Sequence, residues 1–327
     1  MEGNEVLVIP RYNERMNEPA KVDLVCVGLN AIDTLIAVPS FPERGSKVEY
    51  TASSLMPGGQ AATTAIACQS WGLRTRYVGK LGDDEASTIH RHEFARTGVD
   101  ARLITVANAA SPQSIILVDP GGERTVLCRR DERLLLQPSD LDQAWIVNAR
   151  ALHLDGFETA AAIVAAGWAR AAGIPVIADL DEIYSGVEEL IADVDYLIVS
   201  RDFPMRLTGE RNLEQALRLI KRRFGCAVTA ATLGADGVLA WDGIRFHSSA
   251  AFRVPVTDTT GAGDIFHAGF IYGLLQDWPL TRQLDFACAA AALNCTCAGA
   301  RGGIQSVEAV ENLMANTSRY AAVPAAD

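Results

Sequence analysis

Asp258-Thr259-Thr260-Gly261-Ala262-Gly263-Asp264 stands between a short apolar segment carrying Val254 and Val256 and a long apolar run over 265–275. Two glycines at the mouth of a helix, with a carboxylate just inside it, predict an anion site. The first backbone N–H groups of a helix lack internal partners, and the positive end of its dipole lies there. Asp264 would repel an anion held at that point, so stability alone gives it little reason to be there. A helix cap is the plain alternative. A base that takes a proton from an attacking hydroxyl explains the pairing of carboxylate and glycines better.

Outward from this stretch the chain alternates strand and helix. From residue 150 on, strands are expected at 151–154, 174–178, 196–199 and 227–232, with helical runs at 158–172 and 213–224 between them. Such alternation implies a parallel sheet with helices on both faces, binding ligands beyond the carboxyl ends of its strands. Asp179, Gly234, Gly237 and Gly261 all fall at or just after expected strand ends. Nearer the start, 22–29 reads as a buried strand, and Gly58-Gly59 opens a helix over 60–71. A second helix runs from Gly82-Asp83-Asp84 to Thr97-Gly98, carrying His90 and His92 on what reads as its solvent face. Stretches at 33–56, 103–106, 114–118 and 124–128 are β-rich and broken by Pro and Gly. The expected organisation is one α/β domain over 21–327, after a leader at 1–20. A small β-sheet lid is built from insertions near 34–56 and 106–130. A lid suits a reaction that must exclude water.

The composition narrows the function. With 29 basic against 40 acidic residues, the 327-residue chain carries a formal net charge of −11. Nucleic-acid and anionic-membrane binders carry the opposite balance, so neither partner is expected. Seven scattered cysteines, odd in number and without a CxxC pair, read as buried thiols of a reducing cytoplasm. No stretch has the length of a membrane span, and the N-terminus lacks a signal-peptide pattern.

At this point the chain resembles the PfkB family of carbohydrate kinases, the ribokinase-like fold. Four segments carry the resemblance: 258–264 continued by Ile265-Phe266-His267-Ala268-Gly269; Gly58-Gly59-Gln60 with Val78-Gly79-Lys80-Leu81-Gly82-Asp83-Asp84; Thr232-Leu233-Gly234-Ala235-Asp236-Gly237; and Gly28 to Asp33. Their order, more than any one of them, makes the match specific. The resemblance implies an ATP-dependent kinase acting on a hydroxyl of a small sugar. Asp264 would be the general base, and the amides of Gly261, Ala262 and Gly263 the anion hole. Asp33, Gly58, Gly59 and Gln60 would bind the sugar. Thr232, Gly234, Gly237 and Asn294 would bind the nucleotide. Asp258 and Thr260, with carbonyls at 298–303, match where a monovalent cation (K+) sits in many members. A homodimer through the lid is also implied.

The chain departs from the family pattern in places. Ser200-Arg201-Asp202-Phe203 replaces the Asn-x-x-Glu that helps organise Mg2+, which leaves Asp179 or Asp181 for that task or for an ordinary loop start. A ketohexokinase-like branch shows a similar deviation, and the Gly-Glu-Arg-Thr turn at 122–125 resembles sulfofructose kinases. Asparagines are missing at Gln60 and Thr63, which leaves the sugar open. Arg129 and Arg130 read as a solvated edge or as a reach toward an anionic substituent. Two other readings stand: a nucleoside or sugar-phosphate kinase of the same fold, and a non-catalytic sugar- or nucleotide-binding regulator. His267, one turn past Asp264, reads as a packed, hydrogen-bonded histidine.

Overall fold

Continuous apolar runs form strands that must be covered on both faces. In the computed structural model, which describes residues 21–121 and 124–321, β1 (Leu24–Val27) is buried along its whole length. The leader at 1–20 and the first two residues of the 122–125 turn lie outside the described residues. The large sheet has nine strands. From one edge they are β5 (Asp100–Thr105), β4 (Thr75–Leu81), β1, β8 (Ala151–Leu154), β9 (Val176–Leu180), β10 (Tyr196–Ser200), β11 (Val228–Thr232), β12 (Val238–Trp241) and β13 (Phe246–Ser249). All pair in parallel as far as β11; β12 and β13 add an antiparallel hairpin. The chain winds outward from β1 to β5 and returns to β8 on the other side. The order therefore reverses between β1 and β8, and a crevice opens beyond their carboxyl ends.

Helices cover both faces. On one lie α1 (Gln60–Ser70), α2 (Glu85–Thr97), α8 (Ala262–Leu275), α9 (Leu280–Asn294) and α10 (Val307–Asn316), whose core joins Trp71, Phe94, Phe270 and Phe286. On the other lie α4 (Thr159–Ala171) and α7 (Leu213–Phe224), with the short α3 (Gln143–Val147), α5 (Val187–Ile191) and α6 (Phe203–Thr208). α8 and α9 pack closely because Gly269 faces Ala287, where a Cβ would sit 2.7 Å from the Ala287 Cα.

A separate four-stranded sheet takes the order β3 (Ala52–Gly58), β2 (Ala31–Ala37), β6 (Gln113–Val118), β7 (Arg124–Arg129). The 103–106 stretch does not join it. Leu103 to Thr105 pair with Gly79 to Leu81 at the edge of the large sheet, where half-burial satisfies their alternation. His90 is also placed differently from the expectation: it is fully buried and its pKa is pushed down to about 3 by burial, while His92 is exposed. Ala86, Ser87, His90 and Phe94 form the inward stripe of α2, a 3–4 spacing that its polar composition masks.

Candidate active site

The turn before α8 is built by its own side chains. Asp258 Oδ1 accepts from the Thr260 amide at 2.9 Å and the Thr260 hydroxyl at 2.8 Å; Oδ2 accepts from the Gly299 amide at 2.8 Å. Gly261 caps the helix at φ 75°, and a Cβ there would lie 2.3 Å from the Ala300 carbonyl oxygen. Only glycine meets both conditions. At Gly263, by contrast, a Cβ would meet nothing within 4 Å. The Ala262 amide turns back on the Thr259 carbonyl at 3.2 Å, so of the three expected anion-hole donors it already has a partner.

Asp264, the third residue of α8, stands half-buried with Asp179, Asp33, Asp181 and Arg301 as charged neighbours. Burial, then the Asp179 charge, pushes its pKa up to about 7. Asp179, at the carboxyl end of β9, is buried between Gln60 Nε2 at 3.5 Å and His267 Nε2 at 3.2 Å, and burial raises it to about 7 as well. His267 is therefore packed and partnered, as expected. Asp181, at the surface of the same strand end, is raised to about 6, first by desolvation and then by Asp179. Asp33 packs on Gly58, with burial raising its pKa. The carbon-free face of Gly59 lets the chain at Leu29 and Asn30 come close: a Cβ there would lie 2.4 Å from Asn30 Cα.

Several residues of this crevice were not singled out in the sequence. Asp155, just past β8, accepts from the amides of Leu29 at 2.6 Å, Ala61 at 3.2 Å and Phe157 at 3.1 Å, fastening β1, α1 and β8 at the point where strand order reverses. Glu158 is buried nearby and accepts from the Leu136 amide at 2.9 Å. The Asn30 Oδ1 is buried without a hydrogen-bond partner among the described residues, an acceptor a ligand hydroxyl would satisfy. Arg124, on β7, places its guanidinium 3.2 Å from the Thr260 hydroxyl. Of the pair named from the sequence, Arg129 and Arg130 are both exposed, and Arg130 lies over the Phe157 ring at 3.2 Å.

Carboxyls buried in this way are expected to make folding pH-dependent. Burial raises Asp155, Glu158, Asp179 and Asp264 to about 7 and Asp181 to about 6. A carboxyl raised above its unfolded value binds its proton more tightly in the folded chain. Stability is then lost as pH rises from the unfolded value toward the folded one. Buried His90, His153 and His267, held neutral, oppose this only in part. The ligand-free protein is expected to melt higher at about pH 5.5 than at about pH 7.5. A Tm that is flat or rising over that range would contradict this electrostatic picture.

A cavity of about 250 Å³ opens on the other side of the α8 turn. Thr232, Gly234 and Gly237 line it, with Phe252, Phe266, Ala291, Ala292, Cys295 and Tyr320. Its walls are largely apolar and it adjoins Gly263, which suits a flat heterocycle with a phosphate tail. Arg201, in place of the expected Asn-x-x-Glu, donates to the Leu233 carbonyl and pairs with Asp236 at 2.6 Å, bracing this loop. Asn294 does not line the cavity. It is fully buried and spends its amide on the Thr260 and Ala300 carbonyls, both at 3.1 Å, and its oxygen on the Gly303 amide. The Thr260 and Ala300 carbonyls, part of the set at which a monovalent cation was expected, each accept this one hydrogen bond and keep a second lone pair. Ala291→Phe is expected to raise the KM for ATP by about tenfold or more while leaving the acceptor KM little changed. An unchanged KM for ATP would place the nucleotide elsewhere.

Among the described residues no group of three or more His, Cys, Asp or Glu side chains could form a metal cage. No described helix is long and apolar enough to cross a membrane. Cys26, Cys68, Cys226 and Cys288 are buried, Cys295 and Cys297 half-buried, and Cys128 exposed, all with free thiols.

Comparison with known proteins agrees with this fold. The model of the pfkB family of carbohydrate kinases matches residues 21–306. The ATP-dependent ribose-1-phosphate kinase of Halopiger xanaduensis is 28% identical over 274 residues, 82% of this chain and 90% of that protein. The 5-dehydro-2-deoxygluconokinase of Geobacillus kaustophilus is 27% identical over 261 residues, 72% of this chain and 78% of that protein. The solved ribokinase of Arabidopsis thaliana, complexed with ribose and ATP, superposes with a TM-score of 0.75 at 24% identity, over 90% of this chain and 99% of that one, a likeness of fold. The chain belongs to the pfkB family of carbohydrate kinases, ribokinase-like phosphotransferases with an alcohol group as acceptor.

Proposed function

We propose that this protein transfers the γ-phosphate of ATP to a hydroxyl of a small neutral sugar. The observation that carries the reading is the meeting of Asp264, raised in pKa by its buried surroundings, with the glycine turn at the mouth of α8 and an apolar cavity of about 250 Å³ that adjoins Gly263. The sugar lies in the crevice between β1 and β8, with hydroxyls on Asp33, Asn30 Oδ1 and the Gly58–Gly59 backbone. Gln60 is held toward Asp179 and lines the same crevice. Asp264 accepts the proton of the attacking hydroxyl. The amides of Gly261 and Gly263 face the charge that spreads over the transferring phosphoryl oxygens. Arg124 sets a fixed positive charge against the same turn. Mg2+, when bound, would supply positive charge against the phosphates. The acidic end of β9, Asp179 and Asp181, has the oxygen donors to hold its waters.

The small sheet acts as a lid over the sugar. Its outer face carries a row set by register across four strands, Leu55, Thr34, Ile115 and Leu127, with Leu55 and Leu127 each 56% exposed. An apolar sheet face of this kind suits a second copy of the chain. The double substitution Leu55→Asp with Leu127→Asp is expected to convert a sedimenting dimer to monomer. A parent protein that sediments as a monomer at high concentration would exclude the lid dimer. The free thiols and acidic surface suit the cytoplasm.

The function is tested by ADP release and phosphorus NMR of the product with D-ribose, D-fructose, 5-dehydro-2-deoxygluconate, ribose 1-phosphate and adenosine. Fastest turnover with a neutral sugar supports the proposal. Fastest turnover with ribose 1-phosphate or 5-dehydro-2-deoxygluconate would shift the substrate to an anionic sugar, with Arg130 as a candidate partner, and with adenosine to a nucleoside. ATP binding without turnover of any of them would return the protein to a regulator.

A further inference from the structure

The roles above leave out a buried cation beside the crevice, Arg301. The Arg301 side chain is 6% exposed and reaches three separate segments. Its Nε donates to the Thr63 hydroxyl at 3.0 Å, one terminal nitrogen donates to the Gly58 carbonyl at 2.6 Å, and the other is ion-paired with Glu93. Gly58 ends the lid strand β3, Thr63 lies in the first turn of α1, and Glu93 lies on α2. The loop that carries Arg301 is bound on its other side to the phosphate-binding turn. Gly299 donates to Asp258, Asn294 joins the Thr260 and Ala300 carbonyls, and Ala300 lies against Gly261. Met56 of β3 packs on Gly299.

A buried guanidinium is expensive to desolvate, and a well-packed apolar side chain would serve stability as well or better. With a donor from each of its three nitrogens spent on protein acceptors, Arg301 is poorly placed to fork onto a substrate anion. Its geometry is that of a tie between two parts of the site. We propose that Arg301 is a positioning residue that pins the root of the lid to the loop holding the phosphate-binding turn, so that sugar-driven movement of β3 and the shape of the 258–261 turn are set together. Asp33, Asp264, Glu93, Tyr77 and His90 are charged and titratable groups that face it.

The test has two arms, of which only the second rests on the kinase reading. In hydrogen exchange on the ligand-free protein, Arg301→Met is expected to speed exchange over 56–66 and 258–263 while β9 and β10 keep parental rates. Arg301→Lys, which keeps the charge but cannot span three acceptors, falls between. Parental rates in both segments, or an even rise through the core strands, would overturn the proposal. In kinetics with ATP, Mg2+ and whichever panel sugar turns over fastest, Arg301→Met should raise the sugar KM and lower kcat. Together these should cost about tenfold to a hundredfold in kcat/KM for the sugar, with a much smaller change in the KM for ATP. Thr63→Val, which removes one acceptor and keeps the volume, should move the same parameters in the same direction. Losses that follow Tm across the three variants, or that fall on the KM for ATP alone, would also overturn it. A parent without turnover would defeat the kinase reading and leave the exchange arm to decide the pin.

Discussion

Asp264→Asn is expected to lower kcat by about 10²–10⁴-fold with little change in the KM for ATP. The substitution keeps size and hydrogen-bonding shape and removes the capacity to take a proton. Its effect on folding should be neutral or favourable, because Asp264 is one of several carboxylates in a desolvated cluster and the charges of Asp179, Asp33 and Asp181 oppose its own. A drop in kcat with an equal or higher Tm is thus the signature of a base, whereas a capping carboxylate would lower Tm when replaced. In the parent the base works only when ionised. With its pKa pushed up to about 7, kcat/KM for the sugar should fall as pH drops through that value in the absence of bound cations. Loss of that acid limb in Asp264→Asn would assign it to this residue. Full retention of turnover would remove Asp264 from the mechanism.

Gly263→Val is expected to abolish most turnover and leave folding nearly intact. The backbone at Gly263 is ordinary helix, and a side chain there meets nothing within 4 Å; on the proposed reading, that open space is where the phosphate lies. Blocking that space removes phosphoryl-oxygen contacts of the kind whose loss costs about 10²–10³ in kcat for a single donor. Gly261→Ala makes the control. Its φ of 75° and the Ala300 carbonyl at 2.3 Å mean that folding and turnover should fall together. A Gly263→Val protein whose Tm collapses with its activity would mean that the glycine serves packing, and the phosphate would have to be placed elsewhere.

These two glycines also mark what the sequence could reveal. The 258–264 turn was legible because its chemistry is local: a sharp turn, a helix mouth and a carboxylate adjoin in the chain, and residue types alone carry the meaning. The alternation of strands and helices was legible for the same reason. Asp155, Arg124 and Arg301 were not, because their roles depend on elements far apart in sequence. Asp155 gains its partners only when β1 and β8 become neighbours, and Arg301 reaches Gly58 across 243 positions. Asn294 was expected to face the nucleotide because it lies on the helix that walls the cavity. The helical turn points Ala291, Ala292 and Cys295 there instead, and Asn294 into the loop behind. His90 could have been found: its spacing to Ala86 and Phe94 is that of a buried stripe, and polar neighbours hid it.

The central claim is that one pocket holds the transferring phosphate on the mouth of α8 beside Asp264. A crystal structure with ADP, Mg2+, aluminium fluoride and the sugar of fastest turnover tests it most directly. The account predicts the fluoride group on the amides of Gly261 and Gly263, at about 3 Å, with a sugar hydroxyl between it and the Asp264 carboxylate. Density for the fluoride group away from this turn, or a sugar whose hydroxyls do not reach Asp264, would contradict it.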